Sequence, residues 1–365
     1  MTGSYVMNGL NGHLLTFSVT DNCPARCAHC LACSGPSETA RLLSGEILEA
    51  YRQAKELYDI RVVVFTGGEP TTLGDDLFEA IAGISMQGVM TRMVTNACWA
   101  SDDEGAYQII RQLREAGLDE INFSLDDFHA AWIPPENVKR AYKAARSAGF
   151  SAVVLALAAG PLSRINIDWI HRHIDSDIPV VHQEVAEQVE EPLTERDGTV
   201  YEISVHGYSR VGRGRRLRDD LVTSDPLLSK LHYSCREVMN TIVVNPQSEV
   251  GACCGLRFHG NPVLELGSLK HNTFAEILRE GLKRTLIQAL RLLGPKYLLD
   301  SARRVNPEIQ PRAAYGHICE ICEDLTSDPR VLVALSIIEN DIIDEIHARE
   351  KFVEMQREHD AVVPR

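Results

Sequence analysis

The chain has 365 residues, 44% of them hydrophobic, 24% charged and 6% aromatic, which excludes disorder and collagen-like repeats and suits one large α/β unit with an accessory one. Acidic residues outnumber basic ones 51 to 37, a formal net charge of −14 that disfavours non-specific binding to nucleic acid or anionic membrane. The longest nearly uncharged apolar run, 152–162, is far short of a membrane span, and 1–20 lacks a basic start and an apolar signal core, so a cytoplasmic protein is expected.

From about His13 to Val185, short β-branched runs alternate with longer amphipathic segments, the pattern of βα units around a parallel sheet. Strands are predicted at Leu14–Val19, Arg61–Phe65, Thr91–Thr95, Glu120–Leu125, Ala152–Leu157 and Pro179–Gln183, with helices near 44–57, 75–87, 103–116, 135–148 and 165–175. Such a series gives a partial or full barrel, or an open doubly wound sheet, and in each the chemistry belongs at the carboxyl ends of the strands. After Val185 the repetition stops, and the stretch through Asp197 and the arginine-rich Arg210–Arg218 reads as a solvated connector, with contact to an acidic substrate or peptide by Arg210, Arg213, Arg215, Arg216 and Arg218 as the alternative and a domain boundary near 215–230. Beyond it, Asn240–Val244 and Val250–Ala252 flank a turn and predict a hairpin. An amphipathic helix is predicted at 273–293 and a second from Pro329 to about Ala348, followed by a charged tail. The expected division is 1–220, 221–328 and 329–365.

Ten cysteines fall mainly in two separated groups, and in a reducing compartment clustered thiols read as metal ligands rather than disulfides. The first group, Cys23, Cys27 and Cys30, forms a C-x3-C-x2-C run directly after the first predicted strand. Soft thiolates suit zinc, with Cys33 or His29 as fourth ligand, or an iron–sulfur cubane that keeps one iron free of protein. Gly67-Gly68-Glu69-Pro70 follows the second strand, where glycines let backbone carbonyls approach a ligand and a carboxylate can bind an ammonium group.

Together these residues resemble the radical S-adenosylmethionine superfamily, whose marks are that cysteine loop and a GGEP-type motif after the second strand. The resemblance implies that Cys23, Cys27 and Cys30 ligate a 4Fe–4S cluster whose fourth iron is chelated by the amino and carboxylate groups of the methionine moiety of S-adenosylmethionine. It implies that Gly67, Gly68 and Glu69 hold the ammonium group, and that Asn96 with Ser124 or Asp126 contacts the ribose or carboxylate. The residue before the third cysteine is usually aromatic in this family and lies near the adenine; here it is His29. Cys235, Cys253, Cys319 and Cys322, with Cys254 as the substitute for Cys253, resemble the ligands of the small C-terminal twitch or SPASM domains that bind auxiliary iron–sulfur clusters. One C-x2-C pair suits one auxiliary cluster, which the resemblance implies is 4Fe–4S, and zinc in the same four thiols is the structural alternative. The fold implied is α/β: a partial (β/α)6 TIM-like barrel, then a small α+β cysteine-rich domain and C-terminal helices.

The activity implied is reductive cleavage of S-adenosylmethionine to a 5'-deoxyadenosyl radical that takes hydrogen from substrate, with flavodoxin or ferredoxin as electron donor. Modification of a ribosomally made peptide is the first expectation; oxidation or rearrangement of a small metabolite such as a sugar or cyclitol is the second, and a non-catalytic electron carrier the third. Cys98 or Cys33 could return hydrogen as a thiol, although Cys98 also suits packing beside Trp99, and Asp127 or His129 could accept a proton. Only about twelve residues precede the first strand, so an attached leader-peptide-binding domain is not expected, which weakens the peptide reading without excluding it because such a domain can be separate.

Overall fold

A computed structural model describes residues 14–182, 195–196, 198–222 and 234–362. Strands β1 (Leu14–Thr20), β2 (Val62–Gly67), β3 (Met90–Thr95), β4 (Glu120–Leu125) and β5 (Ala152–Ala159) lie side by side in that order, all parallel. The connections carry α1 (Ser44–Lys55), α2 (Asp75–Ser85), α3 (Asp103–Glu115), the single turn α4 (Asp127–Ala130) and α5 (Pro135–Ala145), and α6 (Ile167–His173) follows β5. These agree with the five strands and five helices expected from the sequence to within about three residues at each end.

Register explains why the sheet has two unlike faces. Phe17, Phe65, Met93, Ile121, Val153 and Tyr201 are paired successively across it, and all are buried in the main apolar core. Because side chains alternate along a strand, neighbours such as Thr16, Ser18, Thr66, Val94 and Ser124 face the other way and line a cavity. One face therefore holds the fold together while the other is free for chemistry.

The sixth strand is a correction. Val180–His182 (β6) forms within the predicted Pro179–Gln183, whose last residue lies outside the described residues, but it sits at the sheet edge rather than beside β5. The place beside β5 is taken by β8 (Thr199–Gly207), in the stretch read as connector, paired from Ala152↔Val200 to Ala159↔Gly207; the two-residue β7 (Glu195–Arg196) pairs with it. Eight matched pairs along β5 outweigh the three that β6 makes with β8, so the longer strand takes the interior position.

The C-terminal part extends the same sheet. β9 (Thr241–Val244) runs parallel to β1, and β10 (Glu249–Gly251) and β11 (Glu265–Ser268) follow antiparallel, which includes the expected hairpin. The helix expected at 273–293 is two, α7 (Phe274–Lys283) and α8 (Thr285–Leu292), because Arg284 turns extended and its guanidinium bonds the carbonyls of Glu265 and Leu266 at 2.7 and 2.9 Å. Helices α9 (Pro295–Val305) and α10 (Ile318–Ser327) were not foreseen, and the last predicted helix breaks at Ile338 into α11 (Pro329–Ile337) and α12 (Glu339–Val362). No helix among the described residues is long and apolar enough to cross a membrane.

Candidate active site

The loop after β1 is held by backbone bonds rather than by regular structure. Cys23 N–H donates to Gly35 O and Gly35 N–H to Asp21 O, both at 3.2 Å, and Cys30 N–H donates to Cys27 O at 3.2 Å. Cys23 and Cys27 are buried, Cys30 is half-buried, and all three line a cavity of about 410 Å³. Burial pushes the Cys23 thiol up to about 11, aided by the Glu69 and Cys30 charges, and pushes Cys27 up to about 12, aided by Asp126 and the two other cysteines. Three thiols converge here, and Cys23 and Cys27 resist deprotonation without cationic charge, which fits a thiolate-bound iron–sulfur cluster. Asn96 at the end of β3 donates from Nδ2 to Cys23 Sγ at 3.4 Å, the kind of outer hydrogen bond that orients a sulfur ligand.

Gly67 and Gly68 are glycines because the loop backbone lies against them. A Cβ on Gly68 would stand 2.0 Å from Asn22 O, and one on Gly67, whose φ is +132°, 2.5 Å from Thr20 O. Glu69 N–H donates to Asn22 O at 2.8 Å, so the strand ends of β1 and β2 are locked together. Glu69 itself departs from the expected role. Its side chain is fully buried and does not line the cavity; Oε1 accepts from Thr71 and Thr95 hydroxyls at 2.7 and 2.8 Å, and Oε2 from Asn96 N–H at 2.9 Å. Burial raises its pKa, and those donors pull against that rise. The carboxylate thus ties the end of β2 to the end of β3, leaving Gly67 and Gly68 as the cavity-facing members of the motif.

At the end of β4, Ser124 lines the cavity, whereas Asp126 does not. Asp126 Oδ1 caps α4 by accepting from Phe128 and His129 N–H at 2.8 and 2.9 Å, and Oδ2 meets His129 Nδ1 at 2.6 Å and His29 Nε2 at 3.3 Å. Burial works against its charge, but His129 and His29 hold the carboxyl well below the usual range. With Asp126 so occupied, the ring nitrogens of His29 and His129 and the hydroxyl of Ser124 carry the polar character of that wall. His29 stacks on Phe128 at 5.0 Å between centroids, and its Nδ1 is buried without a hydrogen-bond partner among the described residues.

Three other candidates are placed elsewhere. Asp127 accepts from Arg164 N–H at 2.7 Å and Ile165 N–H at 3.3 Å, pinning a loop, and does not line the cavity. Cys98 and Cys33 do not line it either: Cys98 packs against the Cys23 and Cys27 cluster, and burial pushes its thiol up to about 12, while Cys33 adopts φ +60° beyond the ligand loop. Of the three catalytic candidates, only His129 faces the cavity.

The second cysteine group converges as well. Electrostatic coupling links Cys319 to Cys253, Cys235 and Cys254, and Cys322 to Cys253, Cys319 and Cys235; burial comes first in raising both thiols. Cys319 and Cys322 lie one turn apart on α10, and Gly255 has no side chain because a Cβ there would stand 2.7 Å from Cys319 Sγ. Cys253 and Cys254 also line the cavity that reaches Cys23, Cys27 and Cys30, so one space joins the two groups. His206 and Tyr208, at and beyond the end of β8, and Arg257 complete it; the first two escaped the sequence reading with their strand.

The arginine-rich stretch is another correction. Arg210 is 5% exposed and bonds Glu320 on α10, and Arg213 Nη1 and Nη2 donate to Cys27 O at 2.8 Å and Ser34 O at 2.6 Å. The acceptors are distant in sequence, which is why local composition suggested solvation. Gly68→Ala is expected to lower stability by about 1–3 kcal/mol through backbone overpacking, read as a lower urea midpoint; an unchanged midpoint contradicts the locking of β1 to β2.

Residues 17–170 match the family model described as the Radical SAM superfamily. A GTP 3',8-cyclase of Corynebacterium glutamicum is 35% identical over 120 residues, which span 32% of this chain and 31% of that protein's length. Streptococcus suis SuiB bound to precursor peptide SuiA aligns at 13% identity and TM-score 0.45, covering 76% of this chain and 64% of that one. The structure described as native anSMEcpe with bound AdoMet aligns at 12% identity and TM-score 0.49, covering 92% and 99%. Radical SAM domains bind S-adenosylmethionine and a cysteine-held 4Fe–4S cluster, and it is to these domains that residues 17–170 of this chain are similar.

Proposed function

We propose that this chain is a radical S-adenosylmethionine enzyme that removes hydrogen from a substrate held between two iron–sulfur sites, most simply a side chain of a ribosomally made peptide. The observation that carries this reading is the single cavity of about 410 Å³ lined by Cys23, Cys27 and Cys30 and by Cys253 and Cys254. Cys23, Cys27 and Cys30 would hold the first cluster, and Cys235, Cys253, Cys319 and Cys322 an auxiliary cluster in a twitch-like domain. When bound, the first cluster and S-adenosylmethionine supply a 5'-deoxyadenosyl radical.

The chain's own residues do the rest. Gly67 and Gly68 bring backbone to the cavity wall, where carbonyls can accept from an ammonium group, and Asn96 steadies Cys23. His29 and Tyr208 face the cavity with their rings 5.7 Å apart and are backed by Phe128, 4.8 Å from Tyr208, an aromatic wall suited to an adenine and to keeping water from a reactive radical. His129, oriented by the 2.6 Å contact to Asp126, is the group placed to take a proton from substrate. The second reading, a small metabolite, is favoured by the C. glutamicum relative, whose name denotes chemistry on a nucleotide. A flavodoxin or ferredoxin is the reductant this chemistry calls for.

Anaerobic protein reduced with dithionite in the presence of S-adenosylmethionine is expected to form 5'-deoxyadenosine and methionine, and Cys27→Ala to form neither; iron-free protein with no 5'-deoxyadenosine contradicts the reading. Replacing Cys319 and Cys322 together by alanine is expected to lower iron and sulfide from two clusters' worth to one while the remaining cluster still responds to S-adenosylmethionine. Unchanged iron would remove α10 from the ligand set.

A further inference from the structure

Residues 210–216 form a strap between the two cysteine sites. On one side the Arg210 N–H donates to Glu320 Oε1 at 2.8 Å, its guanidinium to Glu320 Oε2 at 3.2 Å and Ala314 O at 2.6 Å, and Gly212 N–H to Glu323 Oε1 at 2.9 Å. Glu320 and Glu323 flank Cys322 on α10. Arg210 also pairs with Asp219, and Arg215 with Glu323 and Asp324 at 3.5 and 3.2 Å, so their charges are met by carboxylates. On the other side the strap lies directly on the first cysteine loop. A Cβ on Gly212 would stand 2.2 Å from Leu31 O, the Arg213 N–H donates to Cys30 O at 3.0 Å, and its guanidinium forks onto Cys27 O and Ser34 O.

Arg213 differs from Arg210 and Arg215 in one respect. Half-buried, it makes no salt bridge among the described residues, and the partners of its guanidinium are neutral carbonyls of the loop that presents three thiols. A half-buried guanidinium bonded to neutral carbonyls is best matched by anionic charge nearby, which a cluster held by the three thiolates of this loop would supply. Each one-electron reduction adds a negative charge to a cluster held by this loop, and a fixed cation beside it favours the reduced form.

We infer that Arg213 is a positioning and redox-tuning residue: clamped from α10 through the strap, it fixes the Cys23–Cys30 loop and raises the reduction potential of the cluster bound there. This rests on the cluster assignment proposed above, and the two fail differently. Iron-free protein refutes the assignment, whereas loaded protein with an unaltered potential refutes only the role of Arg213.

The test is an EPR-monitored redox titration of the anaerobic holoenzyme, following the signal that changes when S-adenosylmethionine is added, in wild type, Arg213→Gln and Arg213→Lys. Glutamine is expected to shift the midpoint potential downward at unchanged iron content, so that less of the cluster is reduced at a fixed solution potential. Lysine, which keeps the charge but loses the two-pronged geometry, is expected to restore most of the shift. A glutamine variant with the wild-type midpoint overturns the proposal, as does a lysine variant as low as glutamine, which would reduce the residue to loop geometry. Should glutamine prevent cluster assembly, lysine alone decides: a midpoint close to wild type supports the proposal, and one shifted well below it, or no cluster, overturns it.

Discussion

Sulfur anions have to persist in a place that water barely reaches, and much of this architecture follows from that constraint. Burial alone favours protonated thiols at Cys23 and Cys27. Iron held by these thiols would reverse the preference by supplying positive charge where solvent cannot. The surroundings then complement it: Asn96 donates to Cys23 Sγ, Arg213 sets a guanidinium against the loop carbonyls, and the glycine pair after β2 lets the loop backbone sit against the strand ends. The same dryness suits radical chemistry, since it keeps reactive intermediates from solvent.

The sheet makes such a site affordable in stability terms by dividing labour between its faces. The paired row from Phe17 to Tyr201 packs into the core beneath the helices, so threonine, serine and valine on the opposite face need not contribute to cohesion. Extension of the sheet through β9 brings Cys253 and Cys254 to the same cavity, and α10 supplies Cys319 and Cys322 beside them. The strap from Arg210 to Arg216 bonds both α10 and the Cys23–Cys30 loop.

What was legible in the sequence was local. β1 to β5 and their helices announce themselves by β-branched runs and amphipathic spacing, and the C-x3-C-x2-C and GGEP motifs are each contained within ten residues. β8 was missed although Val200, Tyr201, Ile203 and Val205 form a strand-like run, because it follows the end of the βα repetition and its partner β5 lies about fifty residues back. Glu69 shows the same limit from the other direction: a carboxylate in a motif reads as free for a ligand until Thr95 and Asn96 are seen to fill it. Arg210 and Arg213 read as solvated because their acceptors stand more than a hundred positions away in the chain.

The most direct test of the account is whether one iron of the first cluster lacks a protein ligand and takes S-adenosylmethionine. Electron–nuclear double resonance on the reduced protein, with S-adenosylmethionine isotopically labelled at its amino nitrogen, reads this bond. The account predicts a hyperfine coupling between that nitrogen and the cluster, abolished in Cys27→Ala. A reduced cluster with no such coupling under saturating S-adenosylmethionine would contradict it.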